Sequence, residues 1–150
     1  MALAWDLPAP FVKALTVSSG DIDGLGHVNN AAYVVWCEQC AWQHSESLGL
    51  SVQDYQRLDR GVAIHTARYT YYRSCRSGEP LLVGTWLVAC DGKLRLQRRF
   101  QIVHGDTGET VLRGYWQLVS VVLSSGKPVR MPRNFAQTYG AAVTALNPAQ

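Results

Sequence analysis

The chain has 150 residues, 47% of them hydrophobic and 17% charged, which is enough for one sizeable core and too apolar for a disordered segment. No apolar run approaches the ~20 residues that cross a bilayer, and the opening "MALAWDLPAPF" lacks the basic-then-apolar order of an export signal, so no membrane role is expected. A net charge of +3 with no accompanying nucleic-acid motif argues against a nucleic-acid partner.

"FVKALTVSS" places Phe11, Leu15 and Val17 on one parity, with Lys13 interrupting, and predicts a first strand. The loop "GDIDGLGHV" follows. From Asn29 or Asn30 to about Leu48 the sequence predicts a helix. Asparagine caps well, Ala32, Val35, Trp36, Gln39, Cys40 and Gln43 keep helical spacing, and Gly49 supplies a stop. Apolar residues on more than one face imply a helix largely surrounded by protein. A polar stretch, looped or helical, runs to Arg60.

Strands then dominate. "VAIHTARYTYY" is rich in β-branched and aromatic residues and closes at "SGEP". "LLVGTWLVAC" runs into "DGK", where Asp91-Gly92 suits a hairpin turn. "KLRLQRRFQIV" alternates Leu94, Leu96, Phe100 and Ile102 against Lys93, Arg95, Gln97, Arg99 and Gln101, and Arg98 breaks the pattern by sitting on the apolar parity. After the turn "HGDTGE", "TVLRGYWQLVSVVL" is the last long strand. "SSGKPVRMPRNF" reads as a polar exit with two prolines before a loosely ordered tail. The expected organisation is a single domain over 1–150 with an ordered core of about 10–135.

One strand, one long helix and four hairpin-linked strands give an α+β layer architecture, with the helix on one face of an antiparallel sheet. A single helix cannot hide both faces of five strands, so pairing with a second copy is expected.

Cys37 and Cys40 form a C-x-x-C, but they fall mid-helix, and Cys75 and Cys90 make no second close pair. Reduced, buried thiols of a cytoplasmic protein are expected, with no metal. His44, His65 and His104 read as ordinary helix, strand and turn histidines. Between Arg57 and Arg99 lie Arg57, Arg60, Arg68, Arg73, Arg76, Lys93, Arg95, Arg98 and Arg99, opposed by Asp59, Glu79 and Asp91. That excess suits a phosphate-bearing ligand or a solvated strand face, and both readings stay open.

The densest stretch is "DIDGLGHVNNAAYVVWCE", Asp21 to Glu38, where acids, glycines, a histidine and asparagines gather at the helix start. The pattern D-x-D-x-x-G-H-V-N-N-x-x-Y-x-x-W-x-E resembles the hotdog-fold acyl-CoA thioesterases, in the branch of 4-hydroxybenzoyl-CoA thioesterase. The resemblance runs from about Phe11 to Phe135 and includes the late "GKPVRMP". It implies a hotdog fold, one long central helix wrapped by a five-stranded antiparallel sheet. It also implies hydrolysis of an acyl-CoA thioester to acid and CoA without a cofactor, in a homodimer or homotetramer. By position, Asp23 would be nucleophile or general base, and the backbone N–H of Asn30 would bind the thioester oxygen. His27 is a third catalytic candidate. A related plant acyl-carrier-protein thioesterase segment, D-x-N-x-H-V-N-N, has an Asn where this chain has Leu25, so a triad is not supported here. Gly26, Asn29, Tyr33, Arg68, Arg73 and Arg76 are the substrate-binding candidates, the arginines for CoA phosphates.

Each residue also has a structural reading. Asp23 and Asp21 suit turns, Asn29 and Asn30 suit helix capping, Tyr33 and Trp36 suit a core or pocket wall, and Glu38 suits a structural acid. Two other functions remain in view. One is a hotdog dehydratase or hydratase using Asp23 and His27, although their spacing and the lack of a proline differ from the hydratase motif. The other is a non-catalytic acyl-thioester binding module.

Overall fold

A computed structural model describes residues 3–146. In chain order it contains β1 (Phe11–Thr16), a 3-10 turn (Ser19–Asp21), α1 (Asn30–Ser47), α2 (Val52–Leu58), β2 (Arg60–Tyr71), β3 (Pro80–Cys90), β4 (Arg95–His104), β5 (Thr110–Val122) and α3 (Arg133–Ala141). The five strands form one antiparallel sheet in the order β1-β3-β4-β5-β2, so β1 and β2 are its edges. The hairpin succession β3-β4-β5 is the one that the turn dipeptides imply. Each of these three strands pairs with a strand on both sides.

α1 lies on the inner face. Tyr33, Trp36, Cys37, Cys40 and Ala41 repeat at helical spacing and meet Val83 and Leu87 of β3, Phe100 and Ile102 of β4, and Leu112 and Trp116 of β5. The helix is not surrounded within this chain. Val35 and Trp42 on its other side are 48% and 37% exposed. Cys37 and Cys40 belong to the buried stripe, and all four cysteines are free thiols. Burial pushes Cys40 up to about 11 and Cys37 well above the ordinary thiol value, so this C-x-x-C behaves as core.

The loosely ordered tail expected after β5 is instead a third helix. Phe135 and Tyr139 are four residues apart and fully buried on one side of α3. Phe135 stacks on Tyr55 of α2, with ring centroids 4.8 Å apart, and Tyr139 meets Phe135 edge-on at 5.9 Å. The prolines of the exit mark the helix entry, with Pro132 at its cap position. Two short helices thus close one end of the core beyond the single long one.

The outer face of the sheet has its own cover. Leu7 buries against Trp86 and Val88, and Trp5 packs edge-on to Trp86 at 6.0 Å. Gly84 makes room for that ring, since a Cβ there would stand 2.6 Å from Trp5. The segment is tied down by Asp6 N donating to Gln101 Oε1 (2.8 Å), Gln101 Nε2 donating to the Ala4 carbonyl (3.1 Å), and two Arg113–Asp6 bonds of 2.7 and 2.8 Å. By contrast β2 is mostly exposed, and its pairing with β5 shifts register between Ile64 and Thr66, leaving His65 on a bulge.

Candidate active site

The loop before α1 is a small closed turn. An isolated antiparallel bridge between Ile22 and Val28 pinches its base. Inside it Asp23 N donates to His27 O (2.8 Å) and Gly26 N donates to Asp23 O (3.2 Å). Gly26 takes φ +81°, a conformation only glycine adopts cheaply. The Asp23 carboxylate accepts Leu25 N (2.8 Å) and His27 N (3.3 Å), both through Oδ1. Among the described residues Oδ2 takes no hydrogen bond, and Asp23 as a whole is exposed. His27 serves the turn with its backbone, and its ring is half-buried. Asp21 bonds Ser18 N and Oγ through Oδ2, both at 3.0 Å, which caps the 3-10 turn.

One bond seats this turn on the β2–β3 loop and another closes it on itself. Val28 N donates to the Cys75 carbonyl (2.9 Å) and Asn29 N donates to the Asp21 carbonyl (2.8 Å). Asn29 is the N-cap of α1, its side chain accepting Ala31 N at 3.0 Å. Asn30 is therefore the first helical residue. Its N–H has no carbonyl one turn back and points out at the positive end of the helix dipole. Tyr33, one turn on, is 2% exposed against Trp36 and Tyr71, and burial beside the Cys75 thiol raises its pKa well above the ordinary phenol value.

The candidate arginines do not converge. Arg68 lies on the outer face of the sheet, where it stacks over Tyr115 at 5.8 Å and shares an open groove of about 480 Å³ with Arg99 and Arg113. Arg73, in the β2–β3 loop, bonds Glu79 at 3.0 Å and Glu109 at 3.4 Å. Glu79 also accepts His104 Nε2 at 2.7 Å and Arg76 N at 3.0 Å. The other nitrogen of His104 accepts Asp106 N and Thr107 N, so Nε2 is the nitrogen that donates to Glu79. Arg73 and His104 thus anchor one acid between two turns, a cluster that no sequence spacing announces. Arg76, in the same loop as Cys75, is exposed. The loop acid, the capped helix start and Arg76 share one end of the molecule, whereas Arg68 is across the sheet. Among the described residues no group of three His, Cys, Asp or Glu side chains is placed to hold a metal ion. No helix there is long and apolar enough to cross a membrane.

The family model described as "Thioesterase-like superfamily" matches residues 17–138. A candidate esterase from Synechocystis sp. is 27% identical over 105 residues, spanning 70% of this chain and 63% of that protein's length. A 1,4-dihydroxy-2-naphthoyl-CoA thioesterase from Synechocystis superposes with a TM-score of 0.78 at 19% identity, over 88% of this chain and 96% of the other. A Staphylococcus aureus protein solved in complex with CoA gives a TM-score of 0.81 at 18% identity, over 96% and 92% of the two chains. At such identities the likeness is one of fold, and it is the hotdog fold that the order of elements implies.

Proposed function

Because this chain belongs to the thioesterase-like superfamily, we propose that it hydrolyses acyl-CoA thioesters, with Asp23 as the catalytic carboxylate and the Asn30 N–H as the oxyanion donor. The observation that carries this reading is the pairing of a carboxylate with one oxygen free and a helix start whose first N–H is open. A thioester oxygen held at the helix N-terminus gains negative charge as the carbonyl carbon is attacked, and the N–H and helix dipole stabilise that charge.

Two routes fit the same geometry. Asp23 attacks the carbonyl carbon, the C–S bond breaks and CoA leaves as thiolate to be protonated by solvent. Water then cleaves the mixed anhydride and restores the carboxylate. Alternatively Asp23 takes a proton from water as that water attacks, and passes it to the departing sulfur. Either way one water is consumed and one acid and one thiol are formed. Neither route uses a cofactor. The two N–H bonds to Asp23 Oδ1 hold the side chain in one rotamer.

We place a second copy against the end of β2 that carries Tyr71 and the exposed first half of α1. Tyr71 and Val35 are 41% and 48% exposed there, and Leu25 at the loop tip is 83% exposed. Such a partner would enclose Asp23, which a single chain leaves in water. Arg76 is the arginine best placed for a CoA phosphate beside that loop, whereas Arg73 acts by fixing the loop through Glu79. Four free thiols fit a reducing cytoplasm.

The test is release of free thiol from a panel of acyl-CoAs by the wild type and Asp23→Asn. Asparagine keeps the Oδ1 acceptor, so the turn survives, and kcat falls by about 10²–10⁴ with little change in KM. Undiminished release by the variant overturns the assignment of Asp23. No release from any acyl-CoA favours a binding module, and hydration or dehydration without free thiol favours the dehydratase.

A further inference from the structure

A cleft of about 290 Å³, open to solvent on one side, lies beneath the second half of α1. Its walls are mostly apolar, with Val62, Leu96, Trp116 and Leu118 among them, while the exposed Glu38, Trp42 and Ile64 mark its mouth. Arg98, the residue that breaks the alternation of β4, lines this cavity and is 4% exposed. Among the described residues no carboxylate lies within 4.0 Å of its guanidinium. Both hydrogen bonds it makes there leave from Nη1, to His44 Nδ1 at 2.9 Å and Thr85 Oγ1 at 3.1 Å. Nε–H and Nη2 have no acceptor among those residues.

The neighbouring hydroxyls are already ordered. The Leu50 carbonyl can only accept, so Ser45 Oγ donates to it at 2.7 Å. Tyr139 must then donate to Ser45, at 2.7 Å, and Tyr55 to Tyr139. The Trp116 N–H is likewise taken, by Tyr69 at 2.8 Å. What remains on the wall is a buried cation with unused donors, and no carboxylate among the described residues pairs with it. Burial draws Arg98 down to about 10, and the same guanidinium helps to keep His44 neutral, so the histidine accepts and adds no second charge. Glu38 is solvated at the mouth and does not reach the guanidinium. An uncompensated buried charge is costly, and a planar guanidinium takes a carboxylate through two parallel bonds.

We propose that this cavity selects an acyl group whose far end carries a carboxylate, received by Arg98. This rests on the thioesterase reading for its substrate and sharpens it from any acyl-CoA to an ω-carboxyacyl-CoA. Glu38 lies about 12 Å along the helix from Asn30 at 1.5 Å per residue, so the acyl chain must be an extended one rather than a short stub.

Two measurements test it together. Hydrolysis of octanoyl-, decanoyl- and dodecanoyl-CoA is compared with that of their ω-carboxy counterparts, by wild type, Arg98→Met and Ile64→Trp, the last of which crowds the mouth from an exposed position. In parallel, calorimetry compares binding of the free dicarboxylic and monocarboxylic acids. The wild type is expected to favour the carboxylated chain by at least tenfold in kcat/KM, and both variants to erase that ratio. The dicarboxylic acid should bind the wild type at least tenfold more tightly than the monocarboxylic one. Equal or reversed preference overturns the proposal, as does an Arg98→Met variant that loses both substrate classes by one factor. If no thioester is cleaved the thioesterase reading fails. The calorimetric preference then decides the cavity by itself, its presence supporting the anion site and its absence sinking it. Should Arg98→Met not fold, the wild-type ratios and Ile64→Trp still decide.

Discussion

At its first turn α1 meets an exposed loop held by short main-chain bonds, and along its second half it covers two hydrogen-bonded sets, Arg98 with His44 and Thr85, and Ser45 with Tyr139 and Tyr55. The two ends manage polarity in opposite ways. At the first, an acid in water is aimed by the amides around it, and little burial is involved. At the second, polar groups lie inside the protein and each must find a partner, because desolvation makes an unused donor expensive. Under the proposed function the difference separates chemistry from selection. A reacting group can be set by backbone geometry alone, whereas discrimination between acyl tails needs a dry wall with one polar feature in it.

The sharpest way to break the contrast is at the buried end. Phe135→Ala removes the ring that stacks on Tyr55 and holds α3 down, and should cost about 3–5 kcal/mol in urea unfolding. A loss below 1 kcal/mol would mean that α3 is a surface attachment and that the cavity lacks a firm end wall. A second probe is acid. Burial, helped by the Arg98 charge, lowers His44 from its ordinary 6.5 to about 4. Its folded pKa lies below the unfolded one, so on acidification the unfolded chain takes the proton first. The stability it secures is complete above about 6.5 and drains away as pH falls towards 4. Thermal melts across that window should drop more steeply for wild type than for His44→Gln, and parallel slopes would detach His44 from the buried network. The smallest expected effect is at the exposed end. Asn29→Ala removes one cap bond worth about 1 kcal/mol. If the cap also aims the Asn30 N–H, kcat falls several-fold with KM nearly unchanged; a pure stability loss would leave the cap without a part in catalysis.

Much of this was legible in the sequence because periodicity reports which side of an element is buried. The strand-helix-four-strand order and the asparagine cap follow from local rules, whereas Asp91-Gly92 opens a four-residue connection, 91–94, held by the Asp91 carboxylate, and not a two-residue turn. Phe135 and Tyr139 carry a four-residue signal for α3 that the reading of a polar exit and a loosely ordered tail passes over, and their partner Tyr55 is far away in sequence. Arg98 was visible as an error of parity, although nothing in a strand pattern says whether such a residue meets an acid, a histidine or empty space. Arg73 looked like a phosphate ligand since its acids, Glu79 and Glu109, come from turns that only the folded sheet brings beside it. The site is harder to read than the fold for one physical reason: it depends on pairs distant along the chain, whereas elements depend on neighbours.

The crossing of Trp5 over Gly84 has a practical side. Residues 4–8 act as a lid of wallpaper on the outer sheet, and Leu146 shares that cover, so trimming residues 4–8 would thin it over Trp86 and Val88 and offer other molecules an adhesive patch. A purification handle at either end is therefore better set off by a spacer long enough to leave Trp5 and Leu146 in place.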